Sequence, residues 1–150
     1  MPLSENQAQN LIKVCTQASY GLNSVRFIDK NVRDSFELEP HQFEIKNLDW
    51  QSKINKLAQR AYNKIKRSNR TEDSKIYAKL HKMLLYKKNG HFIKHQDNTS
   101  KDDQMFGTLI VQLPSEYTGG EFITYYESQS EIHDFGQSTG KLNIKFDILN

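Results

Sequence analysis

Apolar residues recur at helical spacing in two segments of the first half of the chain. Residues 4–7 have the form of a capping box, with Ser4 at its start and Gln7 three positions later, and they predict a helix start. Four residues at helical spacing follow: Ala8, Leu11, Ile12 and Cys15. A second helix is predicted to begin near Asp49. Its apolar stripe is formed by Ile54, Leu57, Ala58, Ala61, Tyr62 and Ile65.

Strand signals are sparse in the first half of the chain and dominate the second half. Phe36 and Leu38 alternate with charged neighbours and predict a short strand, whereas residues 20–34 predict irregular structure. After a polar connection over residues 68–74, six strand-like runs are predicted, at 75–86, 91–97, 105–114, 120–126, 131–135 and 142–148. Gly119 and Gly120 predict a tight turn between two of these runs. Helices followed by antiparallel strands indicate an α+β domain with its helices on one side of a sheet.

Composition narrows the class of protein. A chain of 150 residues fits one domain, and 36% hydrophobic with 26% charged residues is typical of a globular protein. Because Cys15 is the single cysteine, an internal disulfide framework and a cysteine-based zinc cluster are excluded. The N-terminus has no signal-peptide pattern, and no apolar run approaches the roughly 20 residues of a membrane span. We therefore expect an intracellular, cytoplasmic protein that does not bind membranes.

Basic residues are concentrated in residues 51–90. This block holds 12 of the 21 lysines and arginines, and Glu72 and Asp73 are its only acidic residues. One reading is a binding module for nucleic acid or an acidic protein. The other, which we favour, is the solvated face of the second helix, opposite its apolar stripe: Lys53, Lys56, Arg60 and Lys64.

The candidate chemistry lies in the tripeptide His95-Gln96-Asp97, in the run predicted as a strand over 91–97. Alternate side chains of a strand share a face, so His95 and Asp97 would stand about 7 Å apart at Cα. An imidazole and a carboxylate at that spacing can bind one metal ion. They would supply two ligands of the 2-His-1-carboxylate triad that holds non-haem Fe(II). Alone, the tripeptide would more simply be a solvated pair at a strand end.

The surrounding sequence changes that balance. Tyr86 and Gly90 precede the tripeptide, the strand-like run Met105–Ser115 follows it, and Gly119-Gly120-Glu121 comes next. In this order of features, over residues 80–122, the chain resembles the prolyl 4-hydroxylase-like branch of the 2-oxoglutarate/Fe(II)-dependent dioxygenases. The resemblance implies a double-stranded β-helix, or jelly roll, over residues 75–150. Residues 1–74 would form a helical N-terminal support.

The resemblance also implies a reaction and its cofactors. Members of the family are hydroxylase-type oxidoreductases that use Fe(II) and 2-oxoglutarate, and some require L-ascorbate. By the same resemblance, His95 and Asp97 would bind the iron, and Tyr86 would present its hydroxyl to the C5-carboxylate of 2-oxoglutarate. The alternative for Tyr86 is a core or cross-strand aromatic residue. Thr108 would line the same pocket, or serve only as a strand former.

The sequence contains no clear candidate for the third iron ligand of the triad. His133 is the only histidine after Asp97, and Lys141 follows it by eight positions, near where the family has its cosubstrate-binding base. However, the family has a hairpin with an acidic and an aromatic residue, and Asp134 and Phe135 resemble that pair. The family's distal histidine lies on a later strand. We therefore expect the third ligand to be absent rather than to be His133, and the chain to be a truncated family member that lacks several closing strands.

Three functions remain open from the sequence. They are a dioxygenase domain, a catalytically inactive relative with the same fold, and an unrelated basic binding module. The substrate would be a protein or a small molecule. A jelly roll without its closing strands would expose strand edges, through which the chain could self-associate.

Overall fold

The computed structural model describes residues 3–22, 25–65, 74–96, 105, 107–136 and 143–148. Its helices are α1 (Glu5–Val14), α2 (Trp50–Ile65) and a short 3₁₀ helix (Pro40–Gln42). Five short strands precede α2: β1 (Thr16–Gln17), β2 (Tyr20–Leu22), β3 (Val25–Phe27), β4 (Arg33–Asp34) and β5 (Phe36–Leu38). Six follow it: β6 (Met83–Leu85), β7 (His91–Phe92), β8 (Gly107–Gln112), β9 (Phe122–Tyr126), β10 (Gln129–His133) and β11 (Asn143–Ile148).

Helix α1 forms where the capping box and the apolar stripe predict it. The Ser4 hydroxyl accepts a hydrogen bond from the Gln7 backbone N–H, and the Gln7 side chain accepts one from the Ser4 N–H, which completes the capping box. The four residues of the predicted stripe are half-buried, whereas Val14, which lies off that stripe, is exposed. The helix therefore begins and faces inward as its local sequence specifies.

Helix α2 is also confirmed, within one residue of its predicted start. Ile54 and Ala58 are buried, and Leu57, Ala61 and Tyr62 are half-buried, so these five residues of the predicted stripe form the inward face. The side chain of Ile65, the sixth, lies outside the described part of the structure. The four basic residues opposite the stripe are exposed: Lys53, Lys56, Arg60 and Lys64. This arrangement agrees with the solvated-face reading of these four residues.

The central sheet has three antiparallel strands in the order β1-β5-β6. In its register Thr16 pairs with Glu37 and Phe36 pairs with Leu85. The strand predicted at 75–86 is therefore only partly correct, because sheet pairing is confined to Met83–Leu85. Residues 74–82 are assigned no helix, strand or turn.

Four further strand pairs, all antiparallel, complete the described structure: β2-β3, β4-β7, β8-β11 and β9-β10. The β2-β3 pair shows that the prediction of irregular structure over 20–34 was wrong, and that strands as well as helices build the N-terminal half. Gly119 and Gly120 both have positive φ, 70° and 69°. They lie in the connection between β8 and β9, which do not pair with each other, and no turn is assigned to them, so the predicted tight turn is not confirmed. The outcome is α+β with antiparallel pairing, and the jelly roll stays a prediction.

The buried apolar side chains come from the N-terminal half of the chain. Among the described residues they are Ala18, Leu38, Ile54 and Ala58, which belong to the central sheet region and to α2. Neither α1 nor α2 is long and apolar enough to cross a membrane, and the described residues contain no other helix that is.

Candidate metal centre

A tight turn brings the candidate segment back to the N-terminal half of the chain. The Gly90 N–H donates to the Lys87 carbonyl at 2.8 Å, and Asn89 has a left-handed φ of 65°. A Cβ at position 90 would lie 2.9 Å from the Asp34 carbonyl oxygen and 2.9 Å from the Lys87 carbonyl oxygen, closer than real Cβ contacts. Glycine is therefore required here for space rather than for φ. The turn sets up β7, in which Phe92 pairs with Arg33 and His91 with Asp34.

His95 lies beyond this strand. β7 ends at Phe92, and a last backbone hydrogen bond joins the Ile93 N–H to the Val32 carbonyl at 3.0 Å. The strand predicted over 91–97 is thus shorter than expected, and strand alternation does not place His95 on a common face with Asp97. Asp97 itself lies outside the described residues, so the pairing of the two side chains stays a prediction.

The orientation of the His95 ring is nevertheless defined by contacts with described residues. It stacks on the Phe92 ring with centroids 3.6 Å apart and planes at 21°, and its Nδ1 lies 2.8 Å from the Ile93 carbonyl oxygen. A carbonyl oxygen only accepts, so Nδ1 carries the proton and donates it. In neutral imidazole this leaves the lone pair on Nε2. Histidine ligands in metal sites commonly have this tautomer, with the non-ligating N–H bonded to a carbonyl or carboxylate.

Arg33 supports this arrangement from the neighbouring strand. Its guanidinium carbon lies 4.5 Å from the centre of the Phe92 ring, on the ring face. The side chain is buried, and it donates to the Ser19 carbonyl at 2.6 Å and to the Ser35 hydroxyl at 3.1 Å. The buried Arg33 therefore contacts the Phe92 ring, and that ring in turn contacts the exposed His95. Sequence reasoning missed Arg33, because nothing local distinguishes it from a surface arginine.

His133 occupies a different environment. Its Nε2 lies 3.0 Å from the Thr124 hydroxyl across the β9-β10 pair, and its Nδ1 lies 3.7 Å from a Glu131 carboxylate oxygen. The ring is grouped with the rings of Phe122 and Phe135, with centroid distances of 6.0 and 6.3 Å. Both nitrogens thus face partners of their own, so ligation of a metal would require the loss of one of these contacts.

The other predicted site residues are scattered over the structure. Tyr86 follows β6 and is exposed, and Thr108 lies half-buried on β8, where it pairs with Asp147. Lys141 lies outside the described residues. Among the described residues no group of three histidine, cysteine or acidic side chains is arranged to hold a metal ion. Asp97 is not among these described residues.

His91 makes contacts that depend on its charge. Its Nδ1 lies 3.2 Å from the Asn89 carbonyl oxygen and its Nε2 lies 3.3 Å from the Asn31 carbonyl oxygen. Both carbonyls only accept, so only the imidazolium can donate to both at once. The hydrogen bonds to the Asn89 and Asn31 carbonyls raise the pKa of His91 above its ordinary value. Desolvation opposes them, and the negative charge of Asp34 adds a lesser upward effect.

The raised pKa predicts a pH dependence. His91 should stabilise the fold at pH values below its pKa in the unfolded chain, and this contribution should disappear as the pH rises through the higher folded-state pKa. NMR titration of the His91 ring in the native and the urea-unfolded protein measures both values. Equal values in the two states, or a His91→Gln variant with the same pH profile of thermal unfolding as the parent, would contradict this prediction.

An open cleft is lined by a different set of residues. It has a volume of about 300 Å³ and is lined by Tyr117, Thr118, Gly119, Asp134 and Gly136. Burial raises the pKa of the Tyr117 hydroxyl, and the charge of Asp134 raises it further. None of the residues predicted as metal or cosubstrate ligands lines this cleft, so it does not extend the candidate metal centre.

Comparisons of the chain with protein-family models, with curated proteins and with solved structures found no match. The resemblance to the dioxygenases therefore depends on the motif between residues 80 and 122 alone.

Proposed function

We propose that His95 and Asp97 supply the protein ligands of a non-haem Fe(II) site of the 2-oxoglutarate-dependent dioxygenase type. The observation that supports the proposal is the short contact between His95 Nδ1 and the Ile93 carbonyl oxygen. The His95 Nδ1–H is bonded to the Ile93 carbonyl, so the metal-binding lone pair is on Nε2, in an exposed ring held against Phe92. When bound, iron with 2-oxoglutarate and O₂ would supply the oxidising chemistry.

The residues of the chain would do the binding and the positioning. His95 would donate its Nε2 lone pair, and Asp97 would add a carboxylate oxygen, a ligand pair suited to Fe(II). The Phe92 ring would fix the orientation of the imidazole by stacking on it. The Arg33 guanidinium would in turn fix the Phe92 ring through its contact with the ring face. The cosubstrate roles proposed for Tyr86, Thr108 and Lys141 rest on the resemblance alone. We place the protein in the reducing cytoplasm, where iron stays ferrous and Cys15 stays a thiol.

Metal binding tests this proposal directly. Anaerobic titration with Co(II), followed by its d–d absorption, should show a weak site that is lost in His95→Ala and in Asp97→Ala, because each ligand contributes to a chelate. His41→Ala is the matched control, since His41 is an exposed histidine of the 3₁₀ helix. Unchanged spectra in both ligand variants would remove the proposal.

Two further measurements separate the alternatives. His133→Ala should leave Co(II) binding intact, because His133 is engaged with Thr124 and Glu131, and loss of binding in this variant would make His133 the third ligand. Iron-dependent conversion of 2-oxoglutarate to succinate would identify an active dioxygenase. A protein that binds metal but forms no succinate would instead be the inactive relative.

A further inference from the structure

Residues 74–79 form a segment that is bonded along one edge to helix α2. The Gln59 side chain donates to the Ser74 carbonyl at 3.2 Å and accepts from the Ile76 N–H at 2.9 Å. One helical turn earlier, the Asn55 side chain accepts from the Ala78 N–H at 3.0 Å. A further turn back, the Gln51 side chain donates to the Ala78 carbonyl at 2.7 Å. Side-chain amides thus take the place of a neighbouring strand.

The spacing of these bonds shows that the segment is extended. Gln51 and Gln59 are eight residues apart on the helix, which corresponds to about 12 Å. Their partners, Ala78 and Ser74, are four residues apart, so the segment advances about 3 Å per residue, close to the rise of a β-strand. Burial agrees, since Ile76 and Ala78 are half-buried and the residues between and beside them are exposed.

The opposite edge of the segment is unpaired among the residues that the structure describes. In an extended chain the backbone groups of alternate residues point to opposite edges, so those of Lys75, Tyr77 and Lys79 point away from α2. In the described part of the chain these three residues make no backbone hydrogen bond. Their side chains are exposed, and the Lys75 ammonium lies 5.3 Å from the centre of the Tyr77 ring, as expected for residues two apart in a strand. Such an edge can pair with another extended chain.

The charge of this edge indicates what kind of chain would pair with it. Residues 74–96 contain six lysines and no acidic residue. Lys82 is neutralised by Glu37, but Lys75 and Lys79 flank the open edge and both are exposed. An acidic side chain at alternate positions of an added strand would meet them, as opposite charges do across neighbouring strands.

We propose that the open edge of residues 75–79 is a docking site for an extended acidic peptide, which adds as a β-strand. The alternating donors and acceptors of the three outward residues match the main chain of a peptide, and the two lysines select acidic side chains. This inference is independent of the proposed metal site, since no residue is shared between them.

A pair of N-methylated peptides tests the proposal. The probe is a fluorescein-labelled peptide of about seven alternating Glu and Val residues, with binding measured by fluorescence anisotropy to the full chain. N-methylation of the amides that face the protein should weaken binding by about tenfold, whereas N-methylation of the alternate amides should not, although the charge is the same in all three peptides. Backbone amide NMR shifts on binding should be centred on residues 75, 77 and 79.

Variants of Tyr77 provide the matching test on the protein side. Tyr77→Pro removes the outward N–H, while Tyr77→Ala removes the ring and keeps that N–H, and both leave the bonded groups of Ile76 and Ala78 in place. Only the proline variant should lose about tenfold in affinity. Equal binding of the two N-methylated peptides, no binding of the parent peptide, or equally tight binding of a single-stranded oligonucleotide of the same charge would overturn the proposal.

Discussion

Replacement of Lys82 by methionine is expected to lower the free energy of unfolding by about 3–5 kcal/mol. The Lys82 ammonium lies 2.7 Å from a Glu37 carboxylate oxygen, and the two side chains are only 11% and 6% exposed. Glu37 belongs to the central strand of the three-stranded sheet, so loss of the lysine leaves a carboxylate buried without its ion-pair partner. Urea unfolding followed by circular dichroism measures the change.

The cost should come from the charge left behind rather than from the lost pair. The double variant Lys82→Met with Glu37→Leu should therefore recover most of the stability, because two apolar side chains of similar size can replace a buried ion pair. Lys53→Met is the control, since its partner Asp49 and Lys53 itself are largely exposed, and it should change stability by less than about 1 kcal/mol. Similar losses in Lys82→Met and Lys53→Met would contradict the expected role of burial.

The second large effect is expected from Arg33→Met, with a loss of about 2–3 kcal/mol in the free energy of unfolding. The substitution removes the donors to the Ser19 carbonyl and the Ser35 hydroxyl, and Ser35 is fully buried. It also removes the cation from the face of Phe92. Arg33→Lys should lose part of the same stability, because an ammonium cannot reproduce the planar fork of donors.

Arg33→Met should also affect His95, which it does not touch in any described contact. If Arg33 holds the Phe92 ring and that ring holds the imidazole, the ring-proton shifts of His95 should move towards those of an unstacked histidine, and Co(II) binding should weaken. The measurement is made well below the denaturation midpoint, so that the variant is folded. Unchanged His95 shifts in a destabilised Arg33→Met protein would show that Arg33 acts only on stability.

Both helices could be predicted from the sequence because their signals are local. The capping box of Ser4 and Gln7 joins residues three apart, and the stripe through Ile54 and Ala58 repeats within a few turns, so neither depends on distant parts of the chain. The signal for the strand around Phe36 is equally local. The α+β character follows from the same patterns.

Pairing between distant segments decided what the sequence could not. Residues 75–82 have the alternation of a strand. However, side-chain amides of α2 form hydrogen bonds along one edge of residues 74–78, and sheet pairing begins only at Met83. β7 likewise ends at Phe92, since its partner strand consists only of Arg33 and Asp34. Strand alternation reports a periodicity in one segment and carries no information on the length of the partner.

Burial of charge was also decided by tertiary structure. Lys82 lies in the basic block of residues 51–90, yet it is half-buried and paired with the buried Glu37, which is 45 positions away. Arg33 is buried because Ser19, Ser35 and Phe92 surround its guanidinium. The sequence by itself determined which helices form and which faces of them are apolar. Only the tertiary structure decided which charges leave water, because that depends on partners far apart in the chain meeting at hydrogen-bond distance.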